Sequence, residues 1–295
     1  MTNLGLFDDG FQIVGFIPSE QWYYRSDYTR YDWTELHQLA TVGKAELFMD
    51  WFYSHTLEDL VNKINVRDDI MEYTPIMIAI DSVDLDYDEI DPKFPYDDWA
   101  QRKNASYEER LKFITTLIQF GAYPNPSLDY GPSPLMAAAL KDFSEAIYLL
   151  VLNHGAYVNA VYFDDSPLTC AIRNGAVRSV RALIELNADV NSELRYWKNT
   201  ANECIYGFTP LHFAAAAIGK SLHVSVMPFI VCNLLSAGAD PYATNSAGQM
   251  ATDLSSCIEF QNIVLFFRRK GLYYVLKQNK FSFLVVLHRE ISKFL

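Results

Sequence analysis

The chain has 295 residues, half of them apolar, which is ample for burying a core. Its 36 Asp and Glu outnumber 24 Lys and Arg, and a net charge of -12 repels phosphate backbones, so nucleic acid is excluded as the expected partner. The longest uncharged apolar run, Val224 to Leu235, contains Pro228 and Asn233 and falls short of the ~18 residues a membrane span requires.

In chain order, residues 1–33 open without a basic region or a continuous apolar stretch, so no secretory signal is read there. Phe7, Phe11, Phe16, Trp22, Tyr23, Tyr24, Tyr28, Tyr31 and Trp33 crowd this segment. Two readings fit it, a cap over the first helix pair of an array or a free ligand-binding segment.

From residue 34 a short motif recurs. Its copies are Thr34-Glu35-Leu36-His37-Gln38-Leu39-Ala40, Thr74-Pro75-Ile76-Met77-Ile78-Ala79, Ser133-Pro134-Leu135-Met136-Ala137-Ala138-Ala139, Ser166-Pro167-Leu168-Thr169-Cys170-Ala171 and Thr209-Pro210-Leu211-His212-Phe213-Ala214-Ala215. A degenerate sixth runs from Gly248 to Leu254. Thr or Ser caps a helix by accepting from its free amides, and Pro in the first helical position loses no hydrogen bond. A second apolar helix follows, closed by Gly121-Ala122, Gly155-Ala156, Asn187-Ala188 or Gly238-Ala239. Gly takes the left-handed conformation that ends a helix, and Asn tolerates it best among the other residues.

These ordered parts resemble the ankyrin-repeat family across residues 34–271. The resemblance implies an all-α solenoid of stacked helix-turn-helix units with short hairpin-like turns, atypical capping ends and insertions. It also implies that His37 and His212 hydrogen-bond between adjacent turns, and that the concave side binds a protein partner. Starts at 34, 74, 133, 166, 209 and 250 give spacings of 40, 59, 33, 43 and 41, against a family period of ~33. Extra residues are expected in loops, because each repeat contacts only its neighbours.

The largest insertion, 81–109, is acidic and aromatic. Asp84, Asp86 and Asp88 imitate the start of a calcium loop, but Glu89 stands where Gly is needed and Pro95 where a bidentate Glu belongs. A solvated loop and a binding element for a basic partner both remain open. The second, 192–208, carries Tyr196, Trp197, Lys198 and Tyr206, which either anchor a partner or cover the turn's own underside. A third expansion, Ala216 to Val226, reads as structural. Residues 272–295 form a basic capping helix or tail; from Arg268 onward seven Lys or Arg face only Glu290, a net of +6. That tail either packs against the acidic body or serves as a docking or export address.

No catalytic constellation, cofactor motif or metal-ligand spacing occurs. Cys170, Cys204, Cys232 and Cys257 form no CxxC pair and fit a reducing, cytoplasmic setting. The sequence therefore reads as a monomeric, non-enzymatic binding module. Its predicted partner-binding residues are Asp129, Tyr130, Tyr162, Phe163, Asp164, Asp165, Arg173, Asn174, Tyr196 and Trp197: aromatic anchors among carboxylates, suited to a partner bearing Lys or Arg. The alternatives are a bacterial effector with enzymatic or inhibitory action in a host cytosol and a passive scaffold.

Overall fold

A computed structural model describes residues 34–68, 72–82, 106–126, 131–198, 203–218 and 225–270. The N-terminal aromatic segment, most of the 81–109 insertion and the basic tail lie outside the described residues.

One class of helix begins immediately after the motif's Thr or Ser: α1 (Glu35–Val42), α4 (Pro75–Asp81), α6 (Pro134–Leu140), α8 (Pro167–Arg173) and α10 (Pro210–Ile218). Ser133 Oγ accepts from the Met136 amide at 3.2 Å and Ser166 Oγ from the Thr169 amide at 3.2 Å, filling donors that the first helical turn leaves open. Pro75, Pro134, Pro167 and Pro210 hold the first helical positions, and the Ala-rich faces are fully buried. These helices pack in sequence, α1 on α4, α4 on α6, α6 on α8 and α8 on α10, with a 3-10 turn at Ala251–Asp253 after α10.

The partner helices are α2 (Ala45–Ser54), α5 (Tyr107–Gln119), α7 (Ser144–Tyr148), α9 (Val177–Glu185), α11 (Met227–Ser236) and α12 (Ile258–Lys270). They form a second layer, α2 on α5, α7 on α9, α9 on α11 and α11 on α12. The closures repeat one piece of geometry. The amides of Ala122, Ala156, Ala188 and Ala239 donate to the carbonyls of Leu117, Leu150, Leu183 and Leu234 at 2.8–2.9 Å. The residue before each Ala is left-handed, and Asn187, at φ 66°, does this where its counterparts are Gly.

Helix α7 continues into a π turn at Leu149–Asn153. From the left-handed Asp142 to the left-handed Gly155 is 13 residues, whereas Gly175 to Asn187 is 12. The wider turn takes up the difference.

Not every extra residue goes into a loop. Part of the first unit's surplus forms a third helix, α3 (Leu57–Lys63), capped reciprocally by Thr56 and Asp59. The second insertion folds into an antiparallel hairpin, β1 (Leu194–Lys198) with β2 (Glu203–Phe208), pairing Tyr196 with Ile205 and Trp197 with Cys204. Glu109, read as the end of the largest insertion, instead lies in the first turn of α5. There its carboxylate accepts from the Ser106 amide at 2.8 Å. Among the described residues no helix is long and apolar enough to cross a membrane.

Two features absent from the sequence reading join the repeats. Asn65, Asn125 and Asn191 each donate to the carbonyl of the next unit's closing Gly (121, 155, 238) at 2.9 Å and accept from the amide two residues further on at 2.7–2.8 Å. Asn159 likewise accepts from the Asp189 amide at 2.9 Å. At the last of these turns Tyr242 replaces Asn, and Arg268 of α12 makes the joint by stacking on its ring and donating to the Pro241 carbonyl. Arg110, fully buried on α5, donates to Ala79 O at 3.0 Å and Thr41 O at 2.9 Å, placing its cation at the C-terminal ends of α1 and α4. Gly43 leaves it room, since a Cβ there would come within 2.8 Å of the guanidinium.

His37 and His212 are buried. In each, Nδ1 accepts from its capping Thr amide at 3.2 Å and Nε2 donates across to the next turn, to Tyr73 O and Gln249 O at 3.1 Å. Burial outweighs these bonds and lowers both pKa values, so the imidazoles are neutral in the fold. The unfolded chain takes up their protons first as the pH falls below about 6.5. Stability is therefore complete above that pH and declines below it, by at most about 1.4 kcal/mol per pH unit for each histidine. Denaturant unfolding between pH 7.5 and 5 should show this decline, flattened in a His37→Gln/His212→Gln double variant; an equal slope in both proteins would refute it.

Candidate partner-binding surface

The turn between the third and fourth units is the most unusual of the described turns. Tyr162 and Asp165 exchange backbone hydrogen bonds at 2.9 and 3.0 Å around a two-residue loop, Phe163 and Asp164, with φ of 44° and 65°. Both central residues at positive φ define the tight hairpin turn that Asn-Gly fills at least cost. Phe at such a position costs about 1 kcal/mol or more, because its Cβ crowds the backbone. Phe163 is nonetheless 58% exposed, with the Tyr162 ring edge-on at 4.6 Å.

Neighbouring units fix the base of this turn. The Tyr162 hydroxyl lies beside the Glu72 carboxylate, and burial together with that charge pushes its pKa up to about 12, so it stays a protonated donor. Asp164 accepts from Arg195 Nε of β1 at 2.6 Å. Asp165 pairs with Arg173 at 3.2 Å and accepts from Thr169 Oγ1 at 3.0 Å. Burial raises the Asp165 pKa, and the arginine opposes that shift.

Arg173 in turn lies over the Phe213 ring at 4.5 Å and the Tyr196 ring at 5.8 Å. Tyr196 stacks on Phe208 at 4.4 Å with an interplanar angle of 5°. One continuous assembly thus runs Phe163, Asp164 and Asp165, Arg173, Tyr196, Phe208. Asn174 stands apart from it, its amide donating to Leu140 O of the preceding unit at 3.0 Å.

The predicted residues therefore separate by role. Phe163 is presented outward, while Tyr162, Asp164 and Asp165 support it, and both described carboxylates are already paired with arginine. Arg173, Asn174 and Tyr196 bind their own protein. Trp197 pairs with Cys204 in the hairpin, its side chain outside the described set; Asp129 and Tyr130 also lie outside it. The sequence reading missed Arg195, whose exposed guanidinium ties two turns; Tyr206, named in the second insertion, is 58% exposed on β2. Period-two alternation along 194–198 was the signal for Arg195, whereas the register shift between Leu194 and Tyr196 breaks the alternation that would put Tyr206 on the face of Phe208.

A family model for ankyrin repeats in three copies matches residues 103–193, and a single ankyrin-repeat model matches 206–246. Among solved structures, an ankyrin repeat domain from Acinetobacter baumannii is similar, with a TM-score of 0.52 at 20% identity, covering 78% of this chain and 96% of that one. No curated protein matches. The helix pairs around residues 35–54 and 251–270 extend past both matched segments.

Tyr196 and Tyr206 are close in the hairpin but differ in what they touch. Tyr196→Ala should lower unfolding stability by about 1–3 kcal/mol through loss of the stacked ring, whereas Tyr206→Ala should stay within about 0.5 kcal/mol of the parent. Equal effects in urea unfolding would overturn the assignment of Tyr196 as cover for the turn.

Proposed function

Since this chain is an ankyrin-repeat protein, we propose that it acts by binding another protein through the turn-tip side of the stack, with Phe163 as the central anchor. Ankyrin repeats are general protein–protein interaction modules and are typically non-enzymatic. The observation that carries the finer reading is a bulky aromatic residue held exposed at positive φ, where Asn or Gly would fold more easily. Strain kept at an outward-facing residue, with supports drawn from neighbouring units, fits recognition better than stability.

The net charge of -12 favours a partner bearing Lys or Arg, drawn in by the long-range field. Asp164 and Asp165 contribute to that field while their direct bonds stay with Arg195 and Arg173. A reducing compartment such as the cytoplasm suits the four free thiols.

Phe163→Asn tests the anchor without harming the fold. Asn tolerates φ > 0, so the variant should be more stable by about 1 kcal/mol, a rise of about 2–4 °C in melting temperature. Partner capture from cell lysate should fall at least tenfold. Undiminished capture by this more stable variant would refute the anchor, and capture indifferent to ionic strength would refute the role of charge.

A further inference from the structure

After the closing Gly-Ala or Asn-Ala pair, the four described turns place Tyr123, Tyr157, Asp189 and Asp240 at equivalent positions. The two aspartates have a local task. Asp189 Oδ1 accepts from the Asn191 amide at 2.9 Å and Asp240 Oδ1 from the Tyr242 amide at 2.8 Å, each bracing its turn. Tyrosine cannot make that bond through a short carboxylate. Tyr123 and Tyr157 instead stand 60% and 67% exposed, in consecutive units. Two adjacent turns thus forgo a bracing acceptor and present an aromatic ring to solvent.

The rings are also held in fixed relation. The Tyr123 amide donates to Asn65 Oδ1 and the Tyr157 amide to Asn125 Oδ1, both at 2.8 Å, while Asn125 donates to Gly155 O at 2.9 Å. Their separation follows the stacking of one unit on the next, about 8–10 Å for packed helices. The two segments that carry the rings are themselves uncharged. No Asp, Glu, Lys or Arg occurs from Phe113 to Leu128 or from Ala146 to Phe163, in a chain that is 20% charged. Leu152, on the π turn just before Tyr157, is a further exposed apolar side chain.

We propose that Tyr123 and Tyr157 form a docking strip, separate from the Phe163 turn, for an uncharged proline-rich segment of a partner in polyproline II conformation. The helix of such a segment repeats every three residues, about 9 Å at about 3.1 Å per residue, which matches one step of the stack. Successive prolines on one edge then meet successive tyrosines. The ligand has no charge to pair and enters already extended, which suits a neutral pair of rigid aromatic rings.

The test titrates the full chain with an end-capped decaproline peptide, followed by amide NMR shifts. Shifts centred on Gly121–Asn125 and Gly155–Asn159 are the expected result, with no change for an end-capped Gly-Ser peptide of equal length. Tyr123→Asp/Tyr157→Asp should weaken binding at least tenfold while melting no lower than the parent, because Asp restores the brace seen at Asp189 and Asp240. Phe163→Asn should leave this titration unchanged, which separates the strip from the anchor at the turn. The proposal is overturned if decaproline causes no shift in these turns at millimolar concentration, or if binding survives the double substitution. Lower melting of the aspartate variant would overturn it too, since the tyrosines would then be structural.

Discussion

Each unit of this stack touches only its neighbours, so no distant contact can correct a badly set joint, and the geometry of the array is the sum of its joints. The asparagine that crosses from one turn to the next is the most repeated of these. One side chain satisfies a carbonyl and an amide of the following unit together, fixing both the distance and the rotation between units. A shift of a single residue would leave those backbone groups without partners. The buried histidines do similar work on the other side of the turn, but only in the first and fifth units; Met77, Met136 and Thr169 hold the equivalent positions elsewhere. The asparagines thus carry more of the continuity than the residues by which the motif is recognised.

Helix starts and stops were legible in the sequence because they are settled locally. A Thr or Ser, a Pro and a left-handed Gly act within four residues of themselves, whatever the rest of the chain does. Asn187 could be read as a stand-in for Gly for the same reason. The crossing role of Asn125 or Asn191 could not, because its partners are 30 to 49 residues away and a short Val-Asn or Pro-Asn segment looks like any turn. Arg110 was hidden twice over. It lay one residue beyond an acidic insertion and looked like a surface residue of a helix, yet its guanidinium fills the space that Gly43 leaves between two helix ends.

Among the residues expected to bind a partner, which of them lie together was more legible than what each one touches. Composition brought Tyr162 to Asp165 and the 192–208 segment into one region, and the structure joins them through Asp164 to Arg195 and Asp165 to Arg173. Composition could not say which way a ring faces. Tyr196 and Tyr206 look interchangeable in a list of exposed-loop aromatics, yet the first stacks on Phe208, and a bulge at the left-handed Gly207 turns the second outward although it stands two residues from the buried Phe208. Likewise, a carboxylate in a turn suggests a site for a basic partner until an arginine of the same chain is found already holding it.

The π turn in α7 bears on how such arrays change length. Its additional residue is absorbed inside one helix, while Gly155, Ala156 and the asparagine joint at Asn125 keep the arrangement found in the other units. A single-codon insertion in a second helix therefore need not break the frame of everything downstream. Aligning units by a fixed offset from the motif would misplace the end of this helix and its closing glycine by one position, since Gly155 lies 22 residues after Ser133 and Asn187 lies 21 after Ser166. The turns, more than the helices, are the dependable landmarks for grafting or exchanging units in this protein.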